Sequence, residues 1–178
     1  MSKNKQYIVV SNSTPLIYLA KIGRLNILRK VFGEVYIPNA VFEETVSQGK
    51  ALNISDAYII EKAVGNWLIK EQIKPEINRE YHFLDTNTKL GLGEREALKL
   101  CKQLKAKYFI LDDKAARQAS KMLNVTPIGT CSVVIQACKQ RVITKNEATK
   151  IIEDLLKAGF RIDIEVYGKT LHELGSKN

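Results

Sequence analysis

Short apolar runs alternate with amphipathic stretches along this chain, and the alternation predicts strands and helices in turn. The run Tyr7-Ile8-Val9-Val10 reads as a first strand, and residues 16–31 carry apolar positions at helical spacing. Gly23 interrupts that stretch, which predicts two short helices ending before a turn at Gly33. Pro15 suits a first helical turn, and Ser13 or Thr14 is expected to cap it. An extended piece over 35–37, a helix over 39–48, a helix over 52–64 and a short extended piece over 67–69 follow. Residues 73–90 read as polar and irregular.

The second half is more regular. Ala97, Leu98, Cys101 and Leu104 form an apolar stripe at spacings of three and four, which predicts a helix over 93–104. Tyr108-Phe109-Ile110-Leu111 is the next strand, followed by a helix over 114–123. Val125-Thr126-Pro127-Ile128 predicts a short edge strand, because proline cannot donate to a ladder. Thr130 opens a helix to about residue 140. Thr144 with Glu147 three residues on is a capping-box signature for a helix to Ala158, stopped by Gly159. Phe160-Arg161-Ile162 reads as a last strand, and the segment with Ile164, Tyr167 and Leu171 as a short terminal helix. Such alternation belongs to parallel βαβ units. No repeat, linker or low-complexity segment breaks it.

A chain of 178 residues suits one domain with a real core. At 45% hydrophobic and 26% charged residues it has the make-up of a soluble domain, without a run able to cross a bilayer. Its amino terminus resembles no signal peptide, and the expectation is a soluble cytoplasmic protein. Cys101, Cys131 and Cys138 lack CxxC spacing, which argues against a zinc site or a disulfide framework. Cys131 and Cys138, seven apart on one helix face, read as buried small side chains in a reducing compartment.

His82 and His172 have no partner at metal-ligand spacing, which leaves nucleophile triads without support. Neither a G-x-G-x-x-G nor a Walker A run is present, so dinucleotide and ATP binding have no basis. Lys and Arg number 28 against 19 Asp and Glu, a net charge of +9 that favours phosphate-rich partners. A generally basic surface accounts for that number equally well, because the basic residues are scattered.

Set against this charge is a group of acids that the predicted elements deliver to one sheet edge. Asp112 and Asp113 follow one strand and Asn12 another, and in open α/β sheets the strand carboxyl ends bind ligands. Glu44 shares a helix stripe with Ala40 and Val41, a face built for burial, whereas Glu43 points elsewhere. Glu94 lies in a first helical turn, where any carboxylate suits the dipole, but in register with Ala97, Leu98 and Cys101. Glu96 is off that stripe. Asp112 and Asp113 read equally as turn and cap residues or as metal ligands, and spacing does not rank the two. For Asn12 an Asx turn and a ligand role stand level, as do a surface role and a phosphate contact for Arg117. Carboxylates at one strand edge of a basic chain suggest a divalent metal acting on a phosphate polyanion.

The run from Val9 to Ile17 (VVSNSTPLI), Ile37-Pro38 with Glu44, Gly93-Glu94 with Ala97, Leu111-Asp112-Asp113 with Arg117, and Ile128-Gly129-Thr130 together resemble the PIN-domain family. They look like its subgroup related to VapC-type toxin nucleases. The likeness spans about residues 7–140, with an extension over 141–178 similar to the same subgroup. It implies a three-layer α/β/α sandwich around a parallel sheet, with an acidic cluster that binds Mg2+ or Mn2+ and hydrolyses RNA. The motif positions are Asn12, Glu44, Glu94, Asp112 and Asp113, and by the same inference Ser13, Thr130 and Arg117 assist at water and substrate. The resemblance further implies a toxin neutralised by a small antitoxin, often as a homodimer. Asn12 is the departure, since aspartate is usual there, and the alternative is a catalytically weak module that binds RNA or a protein partner without cleavage.

Overall fold

A computed structural model describes residues 7–175 of the chain. Strands β1 (Val9–Ser11), β2 (Val35–Pro38), β3 (Leu68–Glu71), β4 (Tyr108–Ile110) and β5 (Thr126–Ile128) form one sheet, in the order β3-β2-β1-β4-β5, with every neighbouring pair parallel. Successive strand residues face opposite sides, and each side here has its own core. Val9, Val35, Ile37 and Ile110 belong to one apolar cluster, Val10 and Phe109 to the other.

Helices α1 (Ser13–Lys21), α2 (Asn26–Phe32), α5 (Ser55–Ala63), α9 (Thr130–Lys139) and α10 (Lys145–Lys157) cover the first face with Leu16, Leu28, Ile60, Val134 and Ile151. Helices α7 (Leu92–Leu104) and α8 (Lys114–Met122) cover the second with Leu98, Cys101, Ala116 and Ala119. The result is a three-layer α/β/α sandwich with a central parallel sheet, built from the parallel βαβ units that the alternating pattern predicts and layered as the resemblance implies. A further helix, α11 (Ile164–Gly175), forms over the terminal segment where one was expected, while residues 176–178 of the expected extension lie outside the described residues.

Local signals place most boundaries. Gly23 takes a left-handed backbone, φ 67°, between α1 and α2. Pro127 lies in β5, which pairs with β4 alone and needs no second ladder. The Thr144 hydroxyl accepts from Glu147 N at 3.2 Å while the Glu147 carboxylate accepts from Thr144 N at 2.8 Å, closing the capping box of α10. All three cysteines are free thiols; Cys101 and Cys131 are buried, whereas Cys138, expected to be buried with Cys131, is only half-buried. Among the described residues, no helix is long and apolar enough to cross a membrane.

Three expectations are corrected. Neither Ser13 nor Thr14 caps α1: the helix starts at Ser13, and Asn12 holds the cap position without a side-chain cap bond. Residues 73–90 are not irregular throughout, because α6 (Pro75–Glu80) and a 3-10 turn (His82–Thr86) form there. Nothing in α6 is buried, so no apolar stripe announces it. Residues 160–162 are no strand. Gly159 turns the chain at φ 92°, Phe160 N donates back to Leu155 O at 3.0 Å, and the Phe160 ring packs edge-on against Tyr18 with centroids 5.1 Å apart.

Candidate active site

β1 and β4 are neighbours at the middle of the sheet, and the chain leaves them toward opposite sides, to β2 and to β5. A crevice opens at such a switch point, outside the strand carboxyl ends. Asn12 enters it directly from β1, and its backbone N donates to Ile110 O at 2.9 Å, carrying the ladder to the rim.

Asn12 is only 4% exposed. Its Nδ2 lies 3.5 Å from Glu94 Oε1, while its Oδ1 is buried without a hydrogen-bond partner. The opposite amide orientation would set two acceptors against each other, so the assignment follows from the network. A buried carbonyl oxygen without a protein donor is costly.

Glu94 serves two ends at once. Its Oε2 accepts from Gly91 N at 2.9 Å and closes the first turn of α7, while Oε1 turns toward Asn12. Burial raises its carboxyl pKa; the Gly91 amide acts against that, and the charges of Asp113 and Glu44 raise it further. Glu44, Glu94 and Asp113 therefore share one field.

Glu44 comes from a helical stretch of mixed winding: α3 (Asn39–Phe42), a π-helical turn (Glu43–Ser47) and α4 (Gln48–Ala51). Within the π turn the buried Thr45 hydroxyl donates to Val41 O at 2.7 Å. Glu43 is exposed, as its register predicts, and Glu44 is half-buried. Glu44 Oε1 accepts from Gly93 N at 3.1 Å, and Oε2 accepts from the Ser13 hydroxyl.

The two consecutive aspartates part company. Asp112 Oδ1 accepts from Thr130 N at 2.9 Å and Oδ2 from the Thr130 hydroxyl at 2.6 Å, tying the end of β4 to the start of α9. Burial raises its pKa, opposed by the two Thr130 bonds and by the Arg117 charge. The Arg117 guanidinium passes directly over Gly129, beside Asp112. Asp113 is exposed and caps α8, its Oδ1 accepting from Ala116 N at 2.8 Å.

Asn12, Ser13, Glu44, Glu94 and Asp113 thus come together, and Asp112, Thr130 and Arg117 form an adjoining group. Two participants stood outside the candidate site residues, although Gly93 belongs to the motif that carries the resemblance. Gly93 donates to Glu44, and Glu96, off the apolar stripe, accepts from Ala40 N at 2.8 Å.

The donors in the crevice are oxygens, which suits a hard cation such as Mg2+ or Mn2+. Among the described residues no three His, Cys, Asp or Glu side chains are grouped so as to hold a metal ion as they stand, and both oxygens of Glu44 and of Asp112 accept hydrogen bonds. The fit rests on Asn12 Oδ1, an orphaned acceptor, next to like charges that push the Glu94 pKa up. Both costs fall when a cation binds.

A family model described as a PIN domain matches residues 8–176 of the chain. No curated protein matches it.

Proposed function

The chain belongs to the PIN-domain family, and from that premise we propose that it is an RNA-hydrolysing nuclease dependent on Mg2+ or Mn2+, acting as the toxin of a toxin–antitoxin pair. PIN domains are generally nucleases and typically use divalent metals. One observation carries the finer reading: Asn12, Glu94 and Asp113, with Glu44 behind them, meet at the β1–β4 switch point, where a buried acceptor lacks a partner. The net charge of +9 supports a polyanionic substrate. RNA as that substrate, a small antitoxin as partner, and a homodimer as working form follow from the likeness to VapC-type toxins.

A divalent cation bound here supplies Lewis acidity, which lowers the pKa of a water and offsets charge on phosphoryl oxygens. Asn12 Oδ1, Glu94 and Asp113 are the residues to hold it. Glu44, pinned by Ser13 and Gly93, supplies fixed negative charge at close quarters. Arg117, lying over Gly129, would orient a phosphate, and Asp112 with Thr130 keeps the start of α9 against β4.

Asn12 also favours a second reading, a module that binds RNA or a protein partner and cuts weakly or not at all, because a neutral amide stands where the family usually has aspartate. Purified protein is incubated with single-stranded and structured RNAs in Mn2+, in Mg2+ and in chelator, beside Asp113→Asn. Metal-dependent cutting that disappears in the variant is the expected result. No cutting, or equal traces from both proteins, together with salt-sensitive RNA affinity indifferent to the cation, would move the assignment to the binding module.

A further inference from the structure

Neither α3 nor α7 has a capping side chain at its cap position, and the bond α7 supplies to its own start is Glu94 on Gly91 N. Pro38 and Gly91 hold the two cap positions, and neither carries a side-chain oxygen. The first amides of a helix have no intrahelical acceptor, and here each helix takes one from the other. Glu96 of α7 accepts from Ala40 N, the second residue of α3, at 2.8 Å. Glu44, from the π turn continuing α3, accepts from Gly93 N, the second residue of α7, at 3.1 Å. Two carboxylates thus cross between the helices in opposite directions, each lying at the positive end of the helix it caps.

The clasp leaves no slack at Gly93. A Cβ there would stand 2.6 Å from Glu44 Oε2 and 2.7 Å from Oε1, so the carboxylate occupies the space that a side chain would take. Glu44 sits on the Gly93 amide with α3 packed against α7, and the Glu96 bond to Ala40 N is a direct tie between the two helices on the other side of that contact. Glu44, in turn, contributes to the field at Glu94.

We propose that Glu96 is a positioning residue for the crevice: by capping α3 it holds the Glu44 carboxylate on the Gly93 amide, beside Asn12 and Glu94. Its bearing on catalysis rests on the nuclease reading; the clasp itself does not. Glu96 is not among the residues assigned to substrate or cation, and its influence on the crevice passes through Glu44.

Glu96→Gln and Glu96→Ala separate the hydrogen bond from the charge, because the glutamine amide oxygen can still accept from Ala40 N. Backbone amide exchange at Gly93, read by NMR, is the primary measurement, with Val10 and Ile110 amides as internal references for the core. Glu96→Ala is expected to speed exchange at Gly93 about tenfold while the references hold, and Glu96→Gln to stay within about threefold of the parent; loss of a bond behind metal-binding residues also predicts Mn2+ affinity about tenfold weaker in the alanine variant alone. Unchanged Gly93 exchange in Glu96→Ala, equal loss in both variants, or exchange rising equally at the references would overturn the proposal. A parent protein that neither binds Mn2+ nor cuts RNA would remove the nuclease reading, and Gly93 exchange would still decide whether Glu96 positions Glu44.

Discussion

Asn12 Nδ2 faces Glu94 Oε1 across 3.5 Å, and Asn12 Oδ1, on the same amide, has no donor. The neutral amide spares Glu94 a third like charge beyond those of Asp113 and Glu44. Asn12→Asp is therefore expected to lower the stability of the cation-free protein by about 1–2 kcal/mol, the scale of a pKa unit of repulsion. In Mn2+ the gap should largely close. Tenfold tighter binding would add about 1.4 kcal/mol of cation-linked stability. Melting temperatures in chelator and in Mn2+ check both halves, and a variant as indifferent to Mn2+ as to chelator would take Asn12 out of the cation's surroundings.

The Glu94 pKa lies above its ordinary value of 4.5, raised by burial and by neighbouring carboxylates. Between that value and the raised one the native chain keeps a proton that the unfolded chain has released. Stability conferred by that proton falls as pH rises through the window, and the cost of the buried charge is fully present above it. Glu94→Gln should then be more stable than the parent at pH 7.5 without cation, with the gap closing at about pH 4. Solvent reaches the half-buried carboxylate and keeps the gap small. Urea unfolding at the two pH values is the measurement; a gap that does not change with pH would have another origin than ionisation.

Asp112 and Asp113 should fail in different ways. Asn in place of Asp112 can match only one of the two Thr130 donors with its single oxygen, at an expected cost of about 1–3 kcal/mol. Asn in place of Asp113 caps a helix as well as Asp does, so Asp113→Asn should stay within about 0.5 kcal/mol of the parent and lose its response to Mn2+. Urea unfolding beside a Mn2+ titration distinguishes them. The reverse pattern would make Asp112 the cation's acid.

The legible features were those written locally. Apolar runs marked the five strands, Pro127 marked an edge, and Thr144 with Gly159 bounded α10 from within a few residues of its ends. Helical register also sent Glu44 and Glu94 inward and Glu43 outward. Hidden features depended on distant partners. Asp112 and Asp113 became distinguishable only when Thr130, on another element, took both oxygens of one. Glu96 looked idle because periodicity reports buried faces, and its partner amide on α3 lies far away in the chain. The π turn over Glu43–Ser47 has no mark in the apolar pattern, and Phe160 was apolar enough for a strand yet packs on Tyr18 without a ladder.

Lys99 shows the same limit and yields the sharpest stability prediction. It falls among apolar residues of α7, its side chain is 3% exposed, and its ammonium donates to Asp85 Oδ1 at 2.8 Å, Asp85 Oδ2 at 2.7 Å and Asn78 Oδ1 at 2.7 Å. Arg95, one turn earlier, donates from Nη1 to Asp85 O at 2.8 Å. Two cations of α7 thereby fasten α6 and the 3-10 turn, and α6 has no buried side chain to help. The partners are unequal, since the Asp85 side chain is 46% exposed. Lys99→Met returns a carboxylate to water and keeps an apolar stem in place, at an expected cost of about 1 kcal/mol. Asp85→Ala strands a buried ammonium with Asn78 alone and should cost about 3 kcal/mol. Urea unfolding of the two variants tests the asymmetry: a larger loss in Lys99→Met would mean that packing around the lysine stem, and not its charge pairing, holds this segment to α7.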